Sequence, residues 1–212
     1  IQARKYQLVL TLLSKVADNA VLCKADAEGR SLLHCVADAA SDAVFDKTFA
    51  AQIAAVLIKR GVDPHSLAAD GRNALHAAGL NGHTHLVQFL LMHKVSPCVV
   101  DFAGQSPLSL AVQSHPTASA ELCALLLKQT GVDVDMRFCA KFPVAVGEVA
   151  PQDKDAAKTP GGDICIETCT PLSFAIRAKK DALVMVLLRA KASLVQADER
   201  GRSPLMHAVV EN

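Results

Sequence analysis

The stretch GRNALHAAGLNGHTHLVQFLLM, residues 71–92, decides how the rest of the chain is read. It holds two short apolar runs, Ala74–Leu80 and Leu86–Leu91, joined by Asn81-Gly82-His83. Glycine and asparagine tolerate the left-handed backbone that ends a helix, so the three residues read as a turn between two helices. Neither run is long enough to hold a helix alone in water. Each must pack on its partner and on neighbouring copies of the same unit.

Such copies exist. A small polar residue followed by an apolar helical run recurs at Ser31 (SLLHCVA), Asn73 (NALHAAG), Ser106 (SPLSLAV), Thr170 (TPLSFAI) and Ser203 (SPLMHAV), at steps of 42, 33, 64 and 33 residues. A glycine stands two positions before four of these starts, at Gly29, Gly71, Gly104 and Gly201, where a tight turn needs a positive φ. The opening polar residue caps the helix by accepting a backbone N–H. Pro107, Pro171 and Pro204 fall in the first turn, where a missing N–H costs nothing. Leu33, Leu75, Leu108, Leu172 and Leu205 are expected to point inward. His34 and His76 share one motif position, which Ser109, Ser173 and Met206 fill elsewhere; that variation argues against chemistry at the position.

The five copies in one register resemble the ankyrin repeat family, whose 33-residue unit opens its first helix with T-P-L-H-x-A. The resemblance implies an all-α fold: an ankyrin-repeat solenoid of antiparallel helix pairs with short β-hairpin fingers and one long inserted loop. It implies that His34 and His76 tie neighbouring loops together by hydrogen bonds. By register, residues 1–212 form a single solenoid truncated at both ends: a partial unit 1–25, units 26–67, 68–100 and 101–136, an inserted loop 137–166, a unit 167–197 and a partial unit 198–212. The start, without methionine or a signal-peptide pattern, reads as a fragment of something longer. Tyr6–Val16 is expected to be a helix with Leu8, Leu12 and Leu13 on one face. The unit opening at Ser31 carries extra residues around Asp38–Thr48, with Phe45 and Phe49 as packing residues, and His115-Pro116-Thr117 breaks the first helix of the unit opening at Ser106. The inserted loop has a polar centre in which Thr159-Pro160 is a candidate phosphorylation site.

Composition narrows the function. Half the residues are apolar and the net charge is +1, which argues against bulk-charge binding of nucleic acid. No apolar run approaches the ~18 residues of a membrane span, so no membrane insertion is expected. Seven cysteines without a pairing pattern suit reduced thiols in the cytoplasm or nucleus. Cys139, Cys165 and Cys169 lack zinc-ligand spacing, and no phosphate loop or nucleophile motif occurs. The chain is therefore read as non-enzymatic, without metal or cofactor.

The resemblance implies a protein–protein interaction module that presents a concave groove of hairpin tips and first helices to a partner protein or peptide. The alternative is a scaffolding or regulatory segment that positions domains or recruits substrate within a larger enzyme or channel. By register the groove residues are Arg30, Asp70, Arg72, Leu80, Phe102, Gln105, Leu110, Phe174, Arg177 and Arg202. Two ligand chemistries follow. A row of arginines suits an acidic or phosphorylated peptide, and a mixed or apolar groove would be anchored by Phe102, Leu110 and Phe174.

Overall fold

The computed structural model describes residues 2–39, 47–114, 116–143 and 164–210. Phe45, His115 and the Thr159-Pro160 pair lie outside them. The chain divides into two compact units, Ile1–Asp133 and Val134–Asn212.

The first unit contains α1 (Gln2–Lys15), α2 (Asn19–Leu22), α3 (Leu32–Asp38), α4 (Lys47–Lys59), α5 (Ala74–Leu80), α6 (Thr84–Met92), α7 (Pro107–Gln113) and α8 (Pro116–Leu126). The short first helices α3, α5 and α7 form one layer, and the longer second helices α4, α6 and α8 form another. Leu33, Leu75 and Leu108 from the first layer meet Leu57, Leu86, Leu90, Leu122 and Leu126 from the second, and all are fully buried. Each such leucine contributes about 1.5–3 kcal/mol. The quoted stretch shows how a unit is delimited. Asn73 Oδ1 accepts the amides of Leu75 (3.1 Å) and His76 (3.3 Å), which starts α5. Gly82, at φ +77, ends it, and His83 N closes on Ala78 O at 2.9 Å.

Ahead of each first helix runs a hairpin finger. The fingers close through Asp26 N to Arg30 O (3.0 Å), Ala68 N to Arg72 O (2.8 Å) and Asp101 N to Gln105 O (2.9 Å). Successive fingers are joined by backbone bonds from Ala69 N to Glu28 O and from Phe102 N to Asp70 O, both 2.9 Å. Gly29 (φ +72) permits this approach, because a Cβ there would lie 2.9 Å from Ala69 N. The motif histidines add a second tie. Ser31 N donates to His34 Nδ1 (3.1 Å), which leaves Nε2–H to donate to Arg72 O of the next finger (3.0 Å). His76 repeats the arrangement, with Nδ1 accepting from Asn73 N (3.1 Å) and Nε2 reaching Gln105 O (3.2 Å).

The second unit contains β1 (Phe138–Pro143), β2 (Ile164–Cys169), α9 (Pro171–Arg177), α10 (Asp181–Arg189) and α11 (Pro204–Val210). The strands pair antiparallel, with Phe138 opposite Cys169 and Ala140 opposite Glu167. Where the sequence suggested a loop over 137–166, both ends of that segment are therefore strand. Alternation explains it: Phe138, Ala140, Glu167 and Cys169 are buried, while Cys139 is exposed and Thr168 partly so. Three expectations about facing need correction. Leu8 and Leu12 are exposed and, among the described side chains of that helix, Leu13 is the buried one, since no described element covers the first two. What holds α1 is Arg60, whose guanidinium bonds Leu13 O (2.8 Å), Val16 O and Asn19 Oδ1 (2.7 Å). Leu205 is exposed on α11, again with no described helix packed over it.

Burial holds the His76 imidazole below its ordinary pKa. The folded state therefore binds its proton less readily than the unfolded chain does. Its stabilising bridge is fully present above about pH 6.5 and is lost as the pH falls through the folded pKa. Denaturant midpoints measured from about pH 7.5 down to about pH 5 should fall for the wild type and fall less steeply for His76→Gln. Equal slopes would show that His76 is not the titrating bridge.

Candidate functional site

In the first unit the finger row carries most of the residues singled out from sequence. Asp26 organises the first finger: its Oδ1 accepts Glu28 N (2.9 Å) and Arg30 N (2.8 Å), and its Oδ2 receives Arg30 Nε (2.9 Å). The Arg30 amide hydrogen bond leads the effects that hold the Asp26 carboxyl below the usual carboxylate range. The second finger has Ala68 in the aspartate slot, so Arg72 lacks that partner. Arg72 Nε instead crosses to Asp101 Oδ2 of the third finger (2.8 Å), where the residue at 105 is a glutamine. Asp101 still organises its own turn, accepting Ala103 N (3.0 Å) and Gln105 N (2.7 Å) through Oδ1, and its side chain is only 2% exposed. Two departures from the repeat thus compensate one another.

Both finger arginines, Arg30 and Arg72, are held by carboxylates. Arg30 also meets Glu28 at 3.1 Å and Asp38 at 3.5 Å, and Arg72 also meets Asp70 at 3.5 Å. Beside them stands Phe102, 84% exposed. Its ring edge lies 3.2 Å from where a Cβ on Gly71 would be, so glycine at the second fingertip leaves room for the aromatic of the third. Leu80 is exposed at the end of α5, and the neighbouring Asn81 binds Ala37 O at 2.9 Å. Gln105 and Leu110 depart from expectation: both are buried and neither lines a surface. Gln105 Oε1 is drawn in by Ser109 Oγ (2.8 Å) and Gln113 Nε2 (3.2 Å), and Leu110 sits in a helix whose Pro107–Val112 run is wholly buried.

The second unit gathers its charges around one residue that sequence reasoning passed over. Glu167, on the inner face of β2 and 7% exposed at its side chain, accepts Arg177 Nη1 at 2.5 Å, Arg200 Nη2 at 2.7 Å and Arg202 Nη2 at 3.1 Å. Arg202 Nε also meets Asp198 Oδ2 (3.2 Å), as does His207 Nε2 (2.9 Å). Burial pushes the Asp198 carboxyl up, but the Arg202 amide and His207 together outweigh it and hold the group below its ordinary pKa. Arg177 and Arg202 are therefore engaged with Glu167 rather than displayed to a ligand. Phe174 is likewise buried, its ring 5.8 Å from that of Phe138. The signal for Glu167 lay in the alternation of ICIETC, which puts it on the face of Cys169.

The same register puts Cys139 and Cys169 on opposite faces of the ribbon, and burial raises the Cys169 thiol to about 12. Among the described residues no group of three His, Cys, Asp or Glu side chains is placed to hold a metal ion, and no helix is long and apolar enough to cross a membrane.

A family model describing ankyrin repeats, in three copies, matches residues 40–137. Among curated proteins, mouse "Ankyrin repeat and SOCS box protein 16" is 35% identical over 97 residues, which is 42% of this chain and 21% of that protein. The match thus spans about a fifth of the relative's length.

Removing Glu167 leaves three guanidiniums facing one another at a largely buried point. Glu167→Ala should lower unfolding free energy by about 3 kcal/mol, as expected when one partner of a buried ionic cluster is lost. Glu28→Ala, at an exposed pair, should change it by less than about 0.5 kcal/mol. Comparable losses in denaturant titration would contradict the assignment of Glu167 as the hub.

Proposed function

We propose, from the premise that this chain belongs to the ankyrin repeat family, whose repeats serve as protein–protein interaction modules, that its fingers and first helices dock a partner protein. The observation that carries this reading is Phe102. A large aromatic held almost fully in water, on a finger fixed by backbone bonds to its neighbour, is the kind of rigid anchor around which interface energy concentrates. Asp70, whose carbonyl accepts the Phe102 amide, and Arg72, paired with Asp101, stand next to it, and Arg30 and Leu80 belong to the same row of fingers and first helices. The reading needs no metal and no cofactor, assigns the chain no catalysis, and suits a cytoplasmic or nuclear protein with reduced thiols. It invokes neither nucleic acid nor membrane.

A second reading has one observation in its favour. The name of the mouse relative joins its ankyrin repeats to another element, a SOCS box. The repeats of this chain would then also position a bound protein relative to other parts of a longer polypeptide.

The test is to capture partners with the full chain, identify the most strongly enriched one, and measure its affinity for surface variants. Phe102→Asp and Leu80→Asp should each weaken binding more than about tenfold, as loss of an interface anchor does. Gln88→Ala, at an exposed position of the second helix α6, should leave it unchanged. Equal affinity across all three variants would reject the finger face as the docking surface.

A further inference from the structure

We infer that the partner segment seated on the fingers of the first unit is basic, with an apolar side chain against Phe102 and lysine or arginine side chains paired to Glu28, Asp38 and Asp70. This rests on the protein-binding reading and adds to it the chemistry of the occupant. The sequence suggests the opposite polarity, since Arg30 and Arg72 occupy equivalent slots and invite an acidic ligand.

Both guanidiniums are already committed. Arg30 is held at its Nε by Asp26, and Arg72 at its Nε by the buried Asp101. Glu28, Asp38 and Asp70 are therefore surplus carboxylates sharing arginines that have nearer partners, with side chains 70%, 47% and 54% exposed. No lysine or further arginine occurs in these fingers or on α3, α5 and α7 to balance them. The large apolar side chains exposed on the face are Phe102 and Leu80.

These groups are contiguous. Glu28 O binds Ala69 N beside Asp70, Asp70 O binds Phe102 N, Arg30 reaches Asp38, and Asn81 links Leu80 to Ala37 beside Asp38. A basic segment crossing the fingertips thus meets two successive carboxylates, Glu28 and Asp70, on its way to the aromatic. An acidic segment would bring like charges together there, which costs binding energy and slows encounter.

The test uses the full chain as bait for a phage-displayed library of random dodecapeptides, with Phe102→Ala as the counter-selection bait. Peptides enriched on the wild type and lost on Phe102→Ala should be net positive and carry at least one large apolar residue. For the most enriched synthetic peptide, Glu28→Gln with Asp70→Asn should weaken binding roughly tenfold, near the upper end for two exposed ion pairs, and added salt should weaken it for the wild type more than for the double variant. Phe102-dependent peptides that are net negative or neutral would overturn the charge assignment and leave the binding-module reading standing. A selection yielding no Phe102-dependent peptide would overturn both.

Discussion

A seven-residue helix makes too few hydrogen bonds to repay the cost of its nucleation. α3, α5 and α7 of the first unit are each of that length, and so are α9 and α11 of the second. None of these five helices is stable locally, so each depends on what its neighbours supply. In the first unit the supply comes in two forms. Leucines from both helical layers interlock, and the first and second fingers are each tied to the finger that follows by a backbone hydrogen bond and, through His34 or His76, by an imidazole hydrogen bond. Stability in such stacks is a sum of unit terms and nearest-neighbour terms. That is why a conserved geometry tolerates the change from histidine to Ser109: the third finger substitutes a Gln105–Ser109–Gln113 network for the bridge.

Charge placement follows the same neighbour logic. An aspartate at the start of a finger organises that finger's turn with one oxygen and is left with a second oxygen to hold an arginine. Asp26 and Asp198 give that second oxygen to the arginine of their own finger. Asp101 gives it to Arg72 of the preceding finger, because Ala68 left Arg72 unserved and Gln105 left Asp101 unspent. In the second unit Glu167, carried in on a strand, gathers Arg177, Arg200 and Arg202. The arginines that look like a ligand-binding row in the sequence are consumed internally. What remains on the finger face of the first unit is an exposed aromatic and a surplus of carboxylates.

Much of this was legible beforehand, and the reason is that local chemistry fixes it. The caps at Asn73, Ser106 and Thr170, the finger glycines and the helix-ending Gly82 are each dictated by backbone geometry within a few residues. Register alone placed Phe102 at a fingertip. What was not legible depends on distant partners. Gln105, Leu110 and Phe174 occupy slots that often face outward, yet their side chains are buried here by packing and hydrogen bonds the pattern does not encode. Leu8, Leu12 and Leu205 err the other way, exposed because no described element covers them. The β1–β2 ribbon was hidden because its two strands are short and separated by twenty residues in sequence. Glu167 was hidden with it.

The central claim is that the fingers and first helices of the first unit form the docking face. Hydrogen–deuterium exchange of the full chain, free and saturated with its captured partner, tests it most directly. Exchange should slow across 26–38, 68–81 and 101–105, with α4 and α6 unchanged. Protection confined to α4, α6 and α8, with the fingers exchanging as in the free chain, would contradict it.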